Sequence, residues 1–187
     1  GEKLFKADRI FINTGATPFV PPVEGLTIGG AIHTSETIMN LEEYPESLVI
    51  IGSGFIGLEF AATYAQFGTK VTVIDVTDAF LPREDEDVAQ AVKEQLEALG
   101  VTFNLGVQLK AVHQEGGKVV VEAKTAEGAP VAFTTDAVLV ATGRRANVQG
   151  LDLDKAGVEL TERGAIKVNE FLQTNVPHIF AMGDVNG

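Results

Sequence analysis

The chain has 187 residues, long enough for one large domain or two small ones around a closed core. It contains no cysteine, which excludes a disulfide framework, a thiol nucleophile, a thiolate metal site and a redox dithiol within these residues. Its 14 Lys+Arg against 26 Asp+Glu give a formal charge of -12, a field that repels nucleic-acid backbones and anionic membrane surfaces.

The start, Gly1-Glu2-Lys3-Leu4, does not read as a signal peptide, and a cytoplasmic location is expected. The only methionines are Met39 and Met182, so an internal piece of a longer protein is expected. Ile10-Phe11-Ile12 reads as a strand that stops at Asn13-Thr14-Gly15. Pro18, Pro21 and Pro22 then keep the chain extended. Ser35 to Leu41 predicts a short helix with Ser35 as its N-cap. Leu48-Val49-Ile50-Ile51 is apolar at every position, as in a parallel strand buried on both faces. The best apolar stretch, Leu48 to Ala65, carries Glu59 and three glycines, so no run reaches the roughly 18 apolar residues a membrane span needs.

Phe55 to Phe67 reads as a helix closed by Gly68, and Lys70 to Ile74 as a second buried strand ending at Asp75. Glu84 to Leu99 reads as a helix with Val88, Val92, Leu96 and Leu99 on one face. Val101-Thr102-Phe103 is a third strand. Val107 to Val112, Lys118 to Ala123 and Val131 to Thr134 predict an antiparallel meander, with Gly116-Gly117 and Glu127-Gly128 as its turns. Ala137 to Val140 is another continuous apolar strand, ending at Ala141-Thr142-Gly143-Arg144-Arg145. Strands are expected at Ala165 to Val168 and at Ile179-Phe180-Ala181, the latter ending in Met182-Gly183-Asp184. Two of the exits, after Ile12 and after Val140, carry Thr-Gly, as if backbone there must approach something closely.

Leu48 to Asp75 carries the chemistry. Gly52, Gly54 and Gly57 have G-x-G-x-x-G spacing between a buried strand and a helix, and Asp75 ends the next strand 23 positions beyond Gly52. Gly52 permits the tight turn, Gly54 lets a pyrophosphate approach the backbone, and Gly57 lets helix and strand pack closely. The helix start offers N–H groups and the positive end of its dipole to a diphosphate. Asp75 can accept from both hydroxyls of an adenosine ribose and would repel a 2′-phosphate, so NAD is expected over NADP. The competing reading is a glycine-rich packing turn with Asp75 as a loop acid. Glu59 fits an exposed helical position as well as a place facing the nicotinamide.

No catalytic centre is evident. Neither Tyr44 nor Tyr64 has a lysine four positions on, and His33, His113 and His178 are scattered. There is no zinc spacing, P-loop or Gly-x-Ser-x-Gly elbow, so no catalytic and no metal-ligating residue is assigned.

The run Pro45-Glu46-Ser47-Leu48-Val49-Ile50-Ile51-Gly52-Ser53-Gly54-Phe55-Ile56-Gly57-Leu58-Glu59-Phe60-Ala61 closely resembles the NAD-domain signature of the flavoprotein disulfide reductases, the pyridine nucleotide-disulfide oxidoreductases. Thr14-Gly15-Ala16, Ala141-Thr142-Gly143-Arg144-Arg145 and Ile179-Phe180-Ala181-Met182-Gly183-Asp184 match its other landmarks in order. The resemblance implies an α/β, Rossmann-like FAD/NAD(P)-binding fold: a parallel sheet with helices and a three-stranded antiparallel meander. It implies a single NAD-binding fragment with a core near 45–144. The flanks 1–44 and 145–187 would connect to an FAD domain outside the chain.

By the same resemblance Phe55 is the aromatic gate beside the nicotinamide, Ile56 follows it on the NAD side, and Glu59 lies near the nicotinamide. Leu109 makes a backbone contact on the adenine side, and Gly143 lines the NAD cleft. Thr14, Gly15 and Asp184 belong to the FAD side of the parent, Asp184 with the ribityl chain. The redox cysteine pair and the C-terminal His/Glu base would lie elsewhere in that parent. Ala146 stands where many members have proline, and the charged loop Phe80-Leu81-Pro82-Arg83-Glu84-Asp85 looks more like the bacterial branch tied to reactive-chlorine resistance and copper or mercury reduction.

The implied activity is hydride transfer from NADH to flavin and on to a disulfide or metal-ion acceptor, within a homodimeric parent. The fragment alone is expected to bind NADH without FAD and to be inactive. A stand-alone NAD-sensing module and a structural remnant with an empty cleft are the rival readings.

Overall fold

The computed structural model describes residues 3–187. Gly1 and Glu2, on which the reading of the N-terminus partly rests, lie outside the described residues. The strands are β1 (Ile10–Ile12), β2 (Ala16–Pro18), β3 (Ile32–Thr34), β4 (Ser47–Ile51), β5 (Lys70–Ile74) and β6 (Thr102–Asn104), then β7 (Gln108–Glu115), β8 (Lys118–Lys124), β9 (Pro130–Thr135), β10 (Ala137–Val140), β11 (Arg144–Ala146) and β12 (Ile179–Ala181). The two α-helices are α1 (Phe55–Gln66) and α2 (Glu86–Ala98). The chain forms two compact units: Pro18–Gly143, and the described residues up to Thr17 together with Arg144–Gly187.

The larger unit is built on a five-stranded parallel sheet in the order β3-β10-β4-β5-β6. Successive side chains of a strand point to opposite faces, so a strand apolar at every position needs cover on both sides. On one face Leu48 and Ile50 join Val71, Val73 and Leu139 against Leu58, Ala61 and Leu96 of the two helices. On the other, Val49, Ile51, Val138 and Val140 meet Val112, Val119, Val121 and Ala123 of the meander. The meander β7-β8-β9 is a separate antiparallel sheet laid over the parallel one. Its period-2 pattern follows: Val119, Val121 and Ala123 are buried while their neighbours face outward. A register shift between Leu109 and Ala111 bends β7. Gly25, at φ 72°, crosses β7 so closely that a Cβ would stand 1.8 Å from the Val112 carbonyl oxygen.

The smaller unit pairs β1 with β12 in parallel, Ile12 opposite Ala181, and β2 with β11. Its core is Leu153, Val158, Ile166, Ile179, Ala181 and Val185. No helix among the described residues is long and apolar enough to cross a membrane.

Two local expectations fail. In place of a helix from Ser35 to Leu41 there is one 3-10 turn, Ile38–Asn40, without a side-chain cap. The Thr34 N–H donates to Thr37 Oγ1 (3.0 Å) and the Glu36 N–H to Thr34 Oγ1 (3.3 Å), a local turn that competes with helix. Ala165 to Val168 is not a strand. Its backbone bonds scatter: Ala165 accepts from Thr161, Ile166 donates to Val185 and Lys167 to Glu159, so no ladder forms. Conversely, β3 was not expected. It is an edge strand of three buried residues whose identity comes from its partner β10.

Candidate functional site

The larger unit holds a cleft of about 770 Å³ at the carboxyl ends of β4, β5 and β10. From β4 the chain proceeds to β5 and β6 on one side, while β10 lies on the other. The strand order reverses between β4 and β10, and open α/β sheets bind ligands at such a reversal.

Three glycines build the turn from β4 into α1, for different reasons. Gly52 sits at φ 111°, and a Cβ there would lie 2.4 Å from the Ala141 carbonyl oxygen at the exit of β10. A Cβ on Gly57 would lie 2.2 Å from the Gly52 carbonyl oxygen. The fold itself thus demands glycine at both positions. At Gly54 a Cβ would meet nothing within 4 Å, and its φ of -74° suits any residue.

Gly54 is the N-cap of α1 and supplies no side-chain cap; the first turn carries no acid. The leading N–H groups of the helix and its positive dipole end therefore have no side-chain compensation. The contrast is α2, whose first turn holds Glu86 and Asp87.

Asp75 follows β5 and reaches back to this turn. Its Oδ2 accepts from the Ser53 N–H (2.6 Å) and the Ser53 hydroxyl (2.8 Å), and its Oδ1 accepts from the Thr77 N–H (2.9 Å). Partial burial pushes the carboxyl upward, but the hydrogen bonds from Ser53 and Thr77 outweigh it and hold it below its ordinary value. A fixed anion thus stands at the cleft.

Of the residues singled out from the sequence, Gly52, Gly54, Phe55, Ile56, Asp75, Leu109 and Gly143 line the cleft. Phe55 is 63% exposed, unusual for a large aromatic at a helix start. Gly57 is buried behind the turn and Glu59 is exposed on α1; neither lines the cleft. Thr14, Gly15 and Asp184 belong to the smaller unit. There the parallel pairing of β1 and β12 brings Thr14-Gly15 and Gly183-Asp184 to the same strand end. The Thr14 hydroxyl donates to the Asn147 carbonyl (2.7 Å), and Gly15 accepts from the Asn147 N–H (2.9 Å).

Sequence reasoning passed over Ser53, Thr77, Thr142 and Arg83, all cleft residues. No local period marks Ser53, whose contact with Asp75 spans 22 positions. Thr142 anchors the β10 exit: its hydroxyl donates to the Phe19 carbonyl (2.8 Å), while the Phe19 N–H donates to Gly143 (2.9 Å). No group of three or more His, Cys, Asp or Glu able to hold a metal occurs among the described residues.

Comparison with known proteins agrees with this architecture. The pyridine nucleotide-disulphide oxidoreductase family matches residues 1–187. The probable pyridine nucleotide-disulfide oxidoreductase RclA of Escherichia coli is 40% identical over the whole chain, which covers 41% of that protein. A dihydrolipoyl dehydrogenase of Bacillus subtilis is 39% identical over the whole chain, which covers 40% of it. The solved Cu(II) complex of the HOCl-induced flavoprotein disulfide reductase RclA from Escherichia coli superposes with a TM-score of 0.90 at 38% identity, over 96% of this chain and 40% of that one. The chain thus spans about two-fifths of the length of these relatives.

Proposed function

Given that the chain belongs to the pyridine nucleotide-disulphide oxidoreductase family, we propose that it is the part of a flavin-dependent oxidoreductase that binds NADH. One observation carries this reading. Gly52 and Gly57 are required by the protein's own packing, but Gly54 is not. A residue without a Cβ at the uncompensated start of α1 makes sense if a diphosphate lies against the backbone there. The residues fit the group: a glycine turn, free helix N–H groups, an exposed Phe55 and a carboxylate at the end of β5.

In this reading Asp75 disfavours a 2′-phosphate by charge, so NADH is preferred over NADPH. Phe55 covers the nicotinamide side and excludes water, and Glu59 acts only at the edge of the site. Thr14, Gly15 and Asp184 serve the flavin in the parent. When bound, NADH supplies a hydride that passes by way of flavin to a disulfide or a metal ion. The Cu(II) complex of the Escherichia coli relative favours including metal ions among the acceptors. The parent is a homodimer of larger subunits, and the isolated chain has no reductase activity.

Calorimetric titration with NADH tests the proposal. Modest binding, colourless protein and weaker binding of NADPH are expected. No NADH binding at millimolar concentration sinks it, and a preference for NADPH overturns the role of Asp75.

A further inference from the structure

We propose that the Leu81–Pro82 joint positions Arg83 at the cleft before a nucleotide arrives. The role deepens the NADH reading and rests on it. Three residues other than glycine hold a positive φ among the described residues: Leu81 (44°), Asp152 (49°) and Leu172 (59°). Asp152 and Leu172 are exposed, whereas Leu81 is buried and lines the cleft. Its conformation is unfavourable twice over. A left-handed φ crowds the Cβ of any L-residue, and a residue before proline prefers extended backbone at negative φ. Strain of this kind persists only where the surrounding structure over-determines it.

The constraints lie on both sides of Arg83. Phe80 meets Phe103 of β6 edge-on, with ring centroids 5.2 Å apart. The Leu81 side chain belongs to the core cluster that holds Ala89 and Leu96 of α2. The Glu84 N–H donates to the Leu81 carbonyl (3.0 Å), which closes a turn with Pro82 and Arg83 at its centre. Proline suits the first central position because its φ is already fixed. Directly beyond, the Asp85 carbonyl accepts from the Ala89 N–H (2.9 Å) as α2 begins. The Arg83 backbone is thus held between a core anchor and a helix. A relaxed, extended Leu81 would turn Pro82 and Arg83 away from this wall. Leu81 and Pro82 are therefore positioning residues: they spare the nucleotide the entropy of ordering the loop that carries the cation.

Amide hydrogen exchange and NADH titration test the role. In the wild-type chain without nucleotide the Glu84 amide should be protected, and saturating NADH should change its rate by less than about twofold. Protection that appears only with NADH overturns the inference, because the nucleotide would then order the loop. Pro82→Ala releases the fixed φ and the restriction on Leu81 but keeps the Leu81 anchor. Its Glu84 amide should exchange at least about tenfold faster, while the amides of β4 and β10 keep their rates and report an intact fold. At low salt it should bind NADH about three- to tenfold more weakly than wild type. That loss should vanish in the Arg83→Ala background, because Pro82 acts through Arg83. An equal loss in both backgrounds, or none in either, assigns Pro82 to loop structure alone and overturns the inference while leaving NADH binding intact. Absence of NADH binding in the wild type overturns the underlying reading, and exchange at Glu84 still decides whether the loop is preformed.

Discussion

Asp136 clamps Ser47: its Oδ2 accepts from the Ser47 N–H (3.0 Å) and from the Ser47 hydroxyl (2.5 Å), across 89 residues of chain. Its Oδ1 accepts from Lys118. The contact ties the start of β4 to the junction of β9 and β10 and to the first residue of β8. Asp136→Ala should cost about 1–3 kcal/mol in urea unfolding, because the Ser47 N–H is left without its partner. Lys118→Ala should cost much less, since that side chain is solvated. Lys118 first, and Ser47 with it, holds the Asp136 carboxyl below its ordinary value. The sign follows. Stability from Asp136 is present above the unfolded value of about 3.9 and is lost as pH falls through the lower folded value. The gap between wild type and Asp136→Asn should therefore narrow below about pH 4.

The three motif glycines separate in a stability assay. Gly57→Ala should lose about 1–3 kcal/mol through overpacking against the Gly52 carbonyl. Gly52→Ala should lose more, since it adds a left-handed φ to a clash with Ala141. Gly54→Ala should stay within about 0.5 kcal/mol of wild type yet bind NADH at least tenfold more weakly. Equal destabilisation at all three positions would mean that the motif serves packing alone.

The fold was legible wherever residues carried their own signal. β1, β5, β10 and β12 match the sequence reading residue for residue: β1, β10 and β12 are apolar runs bounded by turn residues, and β5 sets Val71, Val73 and Ile74 between Lys70 and Asp75. β3 was not legible. Ile32-His33-Thr34 has no pattern of its own and becomes a strand by pairing with Val138, Leu139 and Val140. The glycine spacing located the cleft turn, but not the partners of Asp75. Those depend on hydrogen bonds between residues 22 positions apart, which no local period records. Likewise the spacing of Glu59 left its direction open, and only α1 packing puts it on the exposed face.

His33 should make the larger unit acid-sensitive. It sits in β3, 8% exposed, with Nε2 buried and without a hydrogen-bond partner. Burial lowers its pKa, so the folded chain resists protonation of the ring more than the unfolded chain does. The unfolded chain takes up a proton below about pH 6.5. Stability from this residue should therefore be constant above that value and decline below it, by at most about 1.4 kcal/mol per pH unit, until the lower folded pKa is reached. His33→Leu should flatten this slope between pH 7 and pH 5 in urea titrations, since Leu suits the neighbouring Leu139. An unchanged slope in the variant would assign the acid sensitivity to other groups.

Arg83 should draw the anionic nucleotide toward the cleft. It is the cation among the residues lining the cleft, beside the acids Asp75 and Glu84. Four acids follow it directly, Glu84-Asp85-Glu86-Asp87, yet it forms no salt bridge among the described residues. The preceding Leu81 is held at φ 44°, and Leu81, Pro82 and Arg83 all line the cleft. In a chain of charge -12, one unpaired guanidinium at a binding site offsets part of the repulsion a dinucleotide meets on approach. Arg83→Ala should weaken NADH about three- to tenfold at low salt, mainly through slower association. The difference should shrink toward 1 M salt, where the Debye length falls to about 3 Å. Arg83→Lys should recover most of the loss, because charge rather than guanidinium geometry is at work. A loss that is independent of salt would instead assign Arg83 a direct, desolvated contact with a phosphate.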